Sequence, residues 1–392
     1  MSTFDDPRAF DAIVAGDGVI GLVTAWRAAQ RGLGVALVGP GLANAASDVA
    51  AGMLTPATEA TFGEEALMSF GILSRDRYPD FIEELRADSG TDPGYRTEGT
   101  LQVAFDSDDM ASLNELRELR ERLGLDVQRL TSRECRRMEP MLAPSVRGGI
   151  FAPADHSIDP RRLTAALRSA AAHRGVTVVE GRVRAVTGPE DRVNGVELAD
   201  GTHLRGDQVV LAAGVWTSRI TGLPPDTVPA LRPVKGQLLR LRGGPHEAPL
   251  VTRTVRGLVK GTPVYLVARN DGEVILGGTQ EEVGHDTRLT AGGVWQLLRD
   301  GHELVPGVSE LEITETCVGL RPGSPDNEPL LGPTAVAGLH LAVGHFRHGV
   351  LCAPATGDAM AEALAQGRLP DYAQRFHANR LAPQWAPTGR EA

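Results

Sequence analysis

Six residues near the amino terminus, Gly16-Asp17-Gly18-Val19-Ile20-Gly21, constrain the fold more than any other feature of this chain. They follow Asp11 to Ala15, a short apolar run suited to a buried parallel strand. They precede LVTAWRAAQRG, rich in helix-favouring Ala, Leu and Arg and closed by Gly32 and Gly34. Val35 to Val38 then reads as a second strand. The unit is strand, turn, helix, strand, with G-x-G-x-x-G at the turn. Gly16 permits the tight turn, and Gly18 lets backbone amides approach a pyrophosphate. Gly21 lets helix and strand pack closely, and the helix amino terminus offers partial positive charge to the anion. The pattern by itself is weak; following a strand and opening a helix, it becomes a strong dinucleotide signal.

Two residues depart from that fingerprint. Asp17 puts a negative charge beside the expected pyrophosphate, which weakens binding unless the side chain points outward or caps the helix. The second strand ends VALVGPG, with Gly39 where an Asp or Glu would bond the ribose hydroxyls. Either another group makes the ribose contact or the dinucleotide is held less tightly.

Composition narrows the function class. With 40 Lys and Arg against 50 Asp and Glu, the formal charge is −10, which argues against a nucleic-acid groove. The 42% hydrophobic content is enough for a folded core. The longest nearly apolar stretch, Val209 to Trp216, falls far short of the ~20 residues that span a bilayer. The opening MSTFDDPRAF does not read as a secretory signal, so a cytoplasmic protein with no membrane partner is expected. Cys135, Cys317 and Cys352 are far apart and odd in number, which suits buried inert thiols and no metal site.

Further along, Asp48 to Pro56 (DVAAGMLTP) is small and uncharged after Asp48, as a backbone approaching a flat ligand requires; a plain loop is an equal alternative. Helices are expected at 67–89, 109–124, 159–175, 292–304 and 355–364. Strands are expected at 99–105, 176–180, 183–186, 195–198, 208–213, 311–320 and 339–343. Between Val234 and Gly278, alternating segments such as GQLLRLR and TPVYLVAR suggest antiparallel sheet. No nucleophile motif is present, which points to a cofactor as the source of chemistry. Arg321 and Arg347 each sit just past an expected strand among glycines, where α/β sheets place ligand contacts. An Arg fork there suits a carboxylate. His345 and His348 read equally well as pH switches or as hydrogen-bonded structural residues.

The stretches GDGVIGLVTAWRAAQRG, AAGMLTP, DPRRLTAAL, LAAGVWTSR, RPVKGQLLRL, VYLVAR, GLRPGSPDNEPLLGP and GHFRHGVLCAPATGD, in that order, resemble the glycine oxidase branch of the D-amino acid oxidase-type flavoproteins, particularly the thiamine-pathway enzymes. The resemblance runs from about Ala12 to Leu364. It implies an α/β fold: an FAD-binding Rossmann-like (glutathione reductase-type) domain interleaved with a substrate domain of antiparallel β-sheet plus helices. The implied boundaries are 1–80, 150–225 and 318–370 for FAD, 81–149 and 226–317 for substrate, and a tail at 371–392. FAD contacts would come from Gly16, Gly18, Val19, Ile20, Gly21, Ala46, Ser47, Ala51, Gly52, Met53, Val183, Gly214 and the loop His345, Phe346, Arg347, His348, Gly349, Val350, Leu351. Arg321 would grip the substrate carboxylate with Tyr265 assisting, and Arg347 would lie near substrate and flavin.

The implied reaction is oxidative deamination of glycine or another small amino acid or amine. The α-hydrogen leaves as hydride to flavin N5, and the imine hydrolyses to glyoxylate and ammonia. O2 reoxidises the flavin, giving H2O2. Similar proteins form homo-oligomers. Gly39, Asp17, His348 (commonly Asn) and Gln280 depart from the family pattern. They leave open a diverged paralogue in specialised metabolism, which would oxidise glycine to another fate or act on a larger amine. A weakly flavin-binding non-catalytic homologue and a nicotinamide-linked dehydrogenase are the remaining readings.

Overall fold

The computed structural model describes residues 9–41, 45–244, 248–259 and 261–381. Strand β1 (Phe10–Ala15), helix α1 (Val19–Gln30) and strand β2 (Val35–Gly39) form the unit read from the sequence. β1 pairs in parallel with β2 on one side and with His203–Leu211 on the other. Thr177–Glu180 extends the sheet beyond β2, and Leu339–Val343 extends it beyond His203–Leu211, both in parallel. The chain leaves β1 in one direction and returns later on the other side. The carboxyl end of β1 is therefore a topological switch point, where such sheets open a crevice for ligand.

Helices cover this sheet because α1 buries nearly its whole length. Val19, Leu22, Val23, Ala25, Trp26 and Ala28 join one apolar core with helix α2 (Glu65–Ser89), Pro160–His173 and Ala353–Gln366. Trp26 meets Phe81 edge-on, and its indole N–H finds Asp88 at 2.8 Å, so the large ring is buried without an orphaned donor. Asp159 caps Pro160–His173 by accepting from the amides of Arg161 and Arg162.

A second eight-stranded sheet runs Glu312–Gly323, Arg232–Arg242, Glu273–Gly277, Thr262–Ala268, Thr254–Val259, Thr100–Ala104, Gly148–Ala152, Gln128–Thr131. It is antiparallel except where Thr254–Val259 meets Thr100–Ala104. The mixed α/β architecture, with one sheet that is parallel at its centre and antiparallel at Leu330–Pro333, Val183–Thr187 and Gly195–Leu198, and one largely antiparallel sheet, matches the expected fold class. One strand departs from its expected span. Glu312–Gly323 continues through Arg321, which therefore lies inside a strand rather than just past one. The cause is the long register with Arg232–Arg242, in which Arg232 pairs with Gly323 and Val234 with Arg321. The strands Gln128–Thr131 and Gly148–Ala152 and the helix Ser132–Met138 carry no strong local pattern; pairing of Gly148–Ala152 to Thr100–Ala104, of Gln128–Thr131 to Gly148–Ala152, and a Thr131–Glu134 capping box make them.

Candidate active site

The crevice at the end of β1 is shaped by close backbone approaches. Gly16 has φ 124°, and a Cβ there would lie 2.4 Å from the Ala212 carbonyl oxygen. A Cβ on Gly21 would lie 1.7 Å from the Gly16 carbonyl oxygen. α1 begins at Gly18 without a side-chain cap and without an acid in its first turn, so its positive end is not neutralised by its own residues. Buried Ser47, beside Ala46, accepts from the Val19 amide at 2.9 Å. Asp17 is buried and ion-paired with Arg168 at 2.5 Å. Gly214 opens a short helix just beyond His203–Leu211. At the β2 end, the Gly181 amide donates to the Gly39 carbonyl at 3.1 Å, which brings Val183 to that side. A cavity of about 460 Å³ opens there, lined by Gly39, Gly41, Arg168, Val178 and Glu180.

The Ala51-Gly52-Met53 segment is fixed from behind. Gly52 has φ 77°, and its absent Cβ would meet the Ile158 carbonyl oxygen at 1.9 Å. The buried Arg269 guanidinium donates to the carbonyls of Ala51 (2.7 Å) and Ile158 (2.8 Å). One face of the second sheet, with Leu238, Tyr265, Val267, Ile275 and Cys317, packs on Val49, Ala51 and Met53. The sheet bearing Arg321 thus meets the segment expected to face a flat ligand.

A third element closes the site. Gly344 has φ 78° and Phe346 has φ 48°, a left-handed conformation that costs a non-glycine residue about 1 kcal/mol or more. The loop is pinned to the end of the Arg321 strand, where Phe346 donates its amide to the Pro322 carbonyl at 2.9 Å and His345 bridges to Gly323. His345 contacts Thr356 Oγ1 at 3.0 Å, and Gly349, Val350 and Leu351 lead into helix Ala353–Gln366. That helix also starts without a side-chain cap or a first-turn acid. Tyr78 on α2 donates its hydroxyl to the Val350 carbonyl at 2.5 Å. Tyr78→Phe should cost about 1–2 kcal/mol by orphaning that buried carbonyl. A lower melting temperature and faster loss of cofactor would show it; an unchanged protein would mean the bond contributes nothing.

Charged groups converge where these elements meet. Arg321 Nη1 donates to the carbonyls of Thr279 (3.0 Å) and Lys235 (3.4 Å), and among the described residues it has no acidic partner. Three glycines make room beside it. A Cβ on Gly236 would lie 2.5 Å from Arg321 Nη1, and one on Gly277 would lie 2.4 Å from the Tyr265 ring. A Cβ on Gly278 would lie 2.7 Å from Tyr265 Oη and 3.5 Å from Arg321 Nη2, so phenol and guanidinium stand together. Burial raises the Tyr265 pKa above its ordinary value against the pull of Arg321, which keeps the phenol a neutral donor.

Sequence reasoning missed Glu59, Glu64 and Arg256. Glu59 ion-pairs with Arg256 at 3.1 Å, and Arg256 stands opposite Tyr265 in the sheet register. Burial alone would raise the Glu59 carboxyl, but Arg256, His348 and Arg347 outweigh it and hold it at about 2. Its signal in the sequence was being the first charge after Asp48, at the end of an otherwise uncharged stretch. Arg347 is held by Glu64 at 2.6 Å and donates through Nε to His348 at 3.1 Å. Arg347 therefore has an acid of its own, and among the described residues Arg321 has none. His348 is buried with Nδ1 unpartnered, 3.8 Å from Glu59.

A family model described as FAD dependent oxidoreductase (DAO) matches residues 11–363. The chain belongs to the DAO family of FAD-dependent oxidoreductases. It is 32% identical over 376 residues to the bifunctional protein ThiO/ThiG of Synechocystis sp., covering 95% of this chain and 54% of that protein. The chain thus spans about half the length of that relative. It is 28% identical over 418 residues to hydrogen cyanide synthase subunit HcnC of Pseudomonas aeruginosa, covering 96% of this chain and 97% of that one. Among solved structures, glycine oxidase from Geobacillus kaustophilus matches with a TM-score of 0.87 at 30% identity, covering 95% of this chain and 99% of that chain. The DAO-family cofactor fits the residues present: two helix amino termini without acids, glycines whose Cβ atoms would fill the crevice, and a buried imidazole with an orphaned nitrogen.

The site also dictates an acid response of this DAO-family chain. Burial pushes His345 down to about 3 and His340 and His348 to about 4. Each is neutral when folded and takes up a proton more readily when unfolded, so stability is full above the ordinary value of 6.5 and falls as pH drops from there toward 4. Between pH 7 and pH 5 the loss should be about 2 kcal/mol per histidine. His340→Gln, outside the crevice, should flatten that slope in thermal melts; an identical slope would refute neutral burial. Among the described residues, no helix is long and apolar enough to cross a membrane.

Proposed function

We propose that this chain oxidises a small amino acid or amine, with glycine the first candidate, using bound FAD. The observation that carries the reading is Arg321: a half-buried guanidinium with no acid among the described residues, beside a neutral phenol that itself packs with Ala51 and Met53. Its free N–H groups suit a carboxylate, and Tyr265 Oη supplies a further donor at the same place. That pair fixes the substrate's orientation and leaves the α-carbon toward the crevice. Glu59, held ionised at about 2 by its cationic neighbours, is too weak a base to take a proton from carbon. The neutral imidazoles of His345 and His348 add no charge. Orientation and exclusion of water are therefore what the protein contributes. FAD supplies the two-electron acceptor, which O2 restores with release of H2O2. A primary amino acid leaves as an imine that water converts to an oxoacid and ammonia, glyoxylate in the case of glycine; an amine without a carboxylate yields the corresponding carbonyl compound instead.

We divide the chain into an FAD part at 1–80, 150–225 and 318–370 and a substrate part at 81–149 and 226–317; the second sheet departs from this at 150 and 318, where its strands Gly148–Ala152 and Glu312–Gly323 run across the boundaries. Three buried free thiols suit a cytoplasmic setting. The test is aerobic peroxide and product analysis across glycine, sarcosine, small D-amino acids and larger amines, with anaerobic bleaching of the flavin. Bleaching by glycine with equal yields of glyoxylate and ammonia supports the reading; a bound flavin inert to every amine defeats it. A second reading, glycine oxidised to another fate or a larger amine as substrate, is favoured by the Arg256–Glu59 pair beside Tyr265, charges that glycine itself does not use. Glycine consumption without glyoxylate would favour it.

A further inference from the structure

We propose that Asp17 performs the ribose-binding task left open at the end of β2, an inference that rests on FAD being the ligand of this crevice. The two departures read from the sequence are one feature in space. A Cβ on Gly39 would lie 2.0 Å from Asp17 Cγ and 2.2 Å from Asp17 Oδ1. The carboxylate of Asp17 therefore stands at the root of the space into which an acid at position 39 would project. Gly39 is glycine because that space is already filled. The acid comes from the first turn instead of from the second strand.

The carboxylate is also prepared for the task. Its Oδ2 accepts from Arg168 Nη2 at 2.5 Å and from the Gly41 amide at 3.1 Å. Oδ1 has no hydrogen-bond donor among the described residues, and although the side chain is only 5% exposed this oxygen is not one of the enclosed unpartnered atoms, so it is reachable from outside. A buried anion with one oxygen fixed and the other open is an acceptor awaiting a donor. Arg168 and Gly41, which hold it, and Gly39, which yields to it, line the cavity of about 460 Å³. That volume is in the range of sites for small ligands. Arg168 has a second effect: it compensates the charge that would otherwise repel a nearby diphosphate. The adenosine ribose diol is the donor pair that the fold brings to this end of the crevice.

The arrangement reverses a simple expectation. Restoring an acid by Gly39→Glu alone should weaken FAD binding, because the new side chain collides with Asp17. The test uses the full chain stripped of flavin. FAD is titrated by flavin fluorescence, and ADP and 2′-deoxy-ADP are titrated as competitors. The parent should prefer ADP over its 2′-deoxy analogue about tenfold or more. Asp17→Asn should bind FAD about ten- to hundredfold more weakly and lose that preference. Gly39→Glu should also bind FAD weakly, and Asp17→Gly with Gly39→Glu should recover both affinity and preference. If Asp17→Asn keeps the preference, or if Glu180→Gln is the variant that loses it, the proposal fails. A parent that binds no FAD would instead defeat the cofactor reading itself, so the two failures are distinguishable.

Discussion

Arg321→Ala should abolish amino-acid oxidation while leaving FAD bound. The guanidinium donates to the Thr279 and Lys235 carbonyls through Nη1 and also reaches the Tyr265 hydroxyl, which leaves the rest of its fork without an acid among the described residues. Two charge-assisted bonds to a carboxylate are worth about 3–5 kcal/mol, so kcat/KM should fall by about 10²- to 10³-fold or more. FAD should stay because the crevice glycines, Ser47 and the loop from His345 to Leu351 lie on other elements. Arg321→Lys should recover only part of the activity, since an ammonium has the charge but not the planar fork. A small amine without a carboxylate provides the control: its slow turnover should be equal in parent and variant. Peroxide release and flavin absorbance measure both quantities. Normal affinity for glycine in Arg321→Ala would overturn the carboxylate assignment.

Gly21→Ala should cost about 3 kcal/mol or more and strip the protein of FAD. The added methyl would sit 1.7 Å from the Gly16 carbonyl oxygen and 2.8 Å from its carbon. Both are backbone atoms of the turn itself, so no side chain can move aside. Relief requires prying α1 away from β1, which opens the core that Leu22, Val23 and Trp26 fill. Gly18→Ala provides the contrast. Its methyl would meet only the Ser47 hydroxyl, at 3.3 Å. That variant should melt close to the parent and lose cofactor affinity alone. Melting temperature and retained flavin separate the two outcomes, and equal behaviour of both variants would show that the motif's glycines do not divide their roles in this way.

Local pattern made much of the fold legible. The apolar run into a glycine turn, the Asp159-Pro160 start of a helix, and the alternating strands between Val234 and Gly278 each declare themselves within a few residues. The elements that escaped notice, such as Gly148–Ala152, have weak patterns of their own and exist through their pairing partners. The reach of the Arg321 strand escaped for the same reason: ladder bonds to Arg232–Arg242 carry it past the glycines that looked like its end.

By itself the sequence determined the dinucleotide turn, the absence of a nucleophile motif, and Arg321 as a residue to watch, whereas Tyr265 entered only through the family resemblance. The first three follow from short-range spacing, which any chain displays openly. Tertiary structure alone decided how charges are shared. It gave Arg347 to Glu64 and Arg256 to Glu59, and left Arg321 without an acid among the described residues. It also turned Asp17 and Gly39 from two apparent defects into one complementary pair. Coulomb energies depend on distance in space, and the partners concerned lie as far apart in sequence as Glu64 and Arg347.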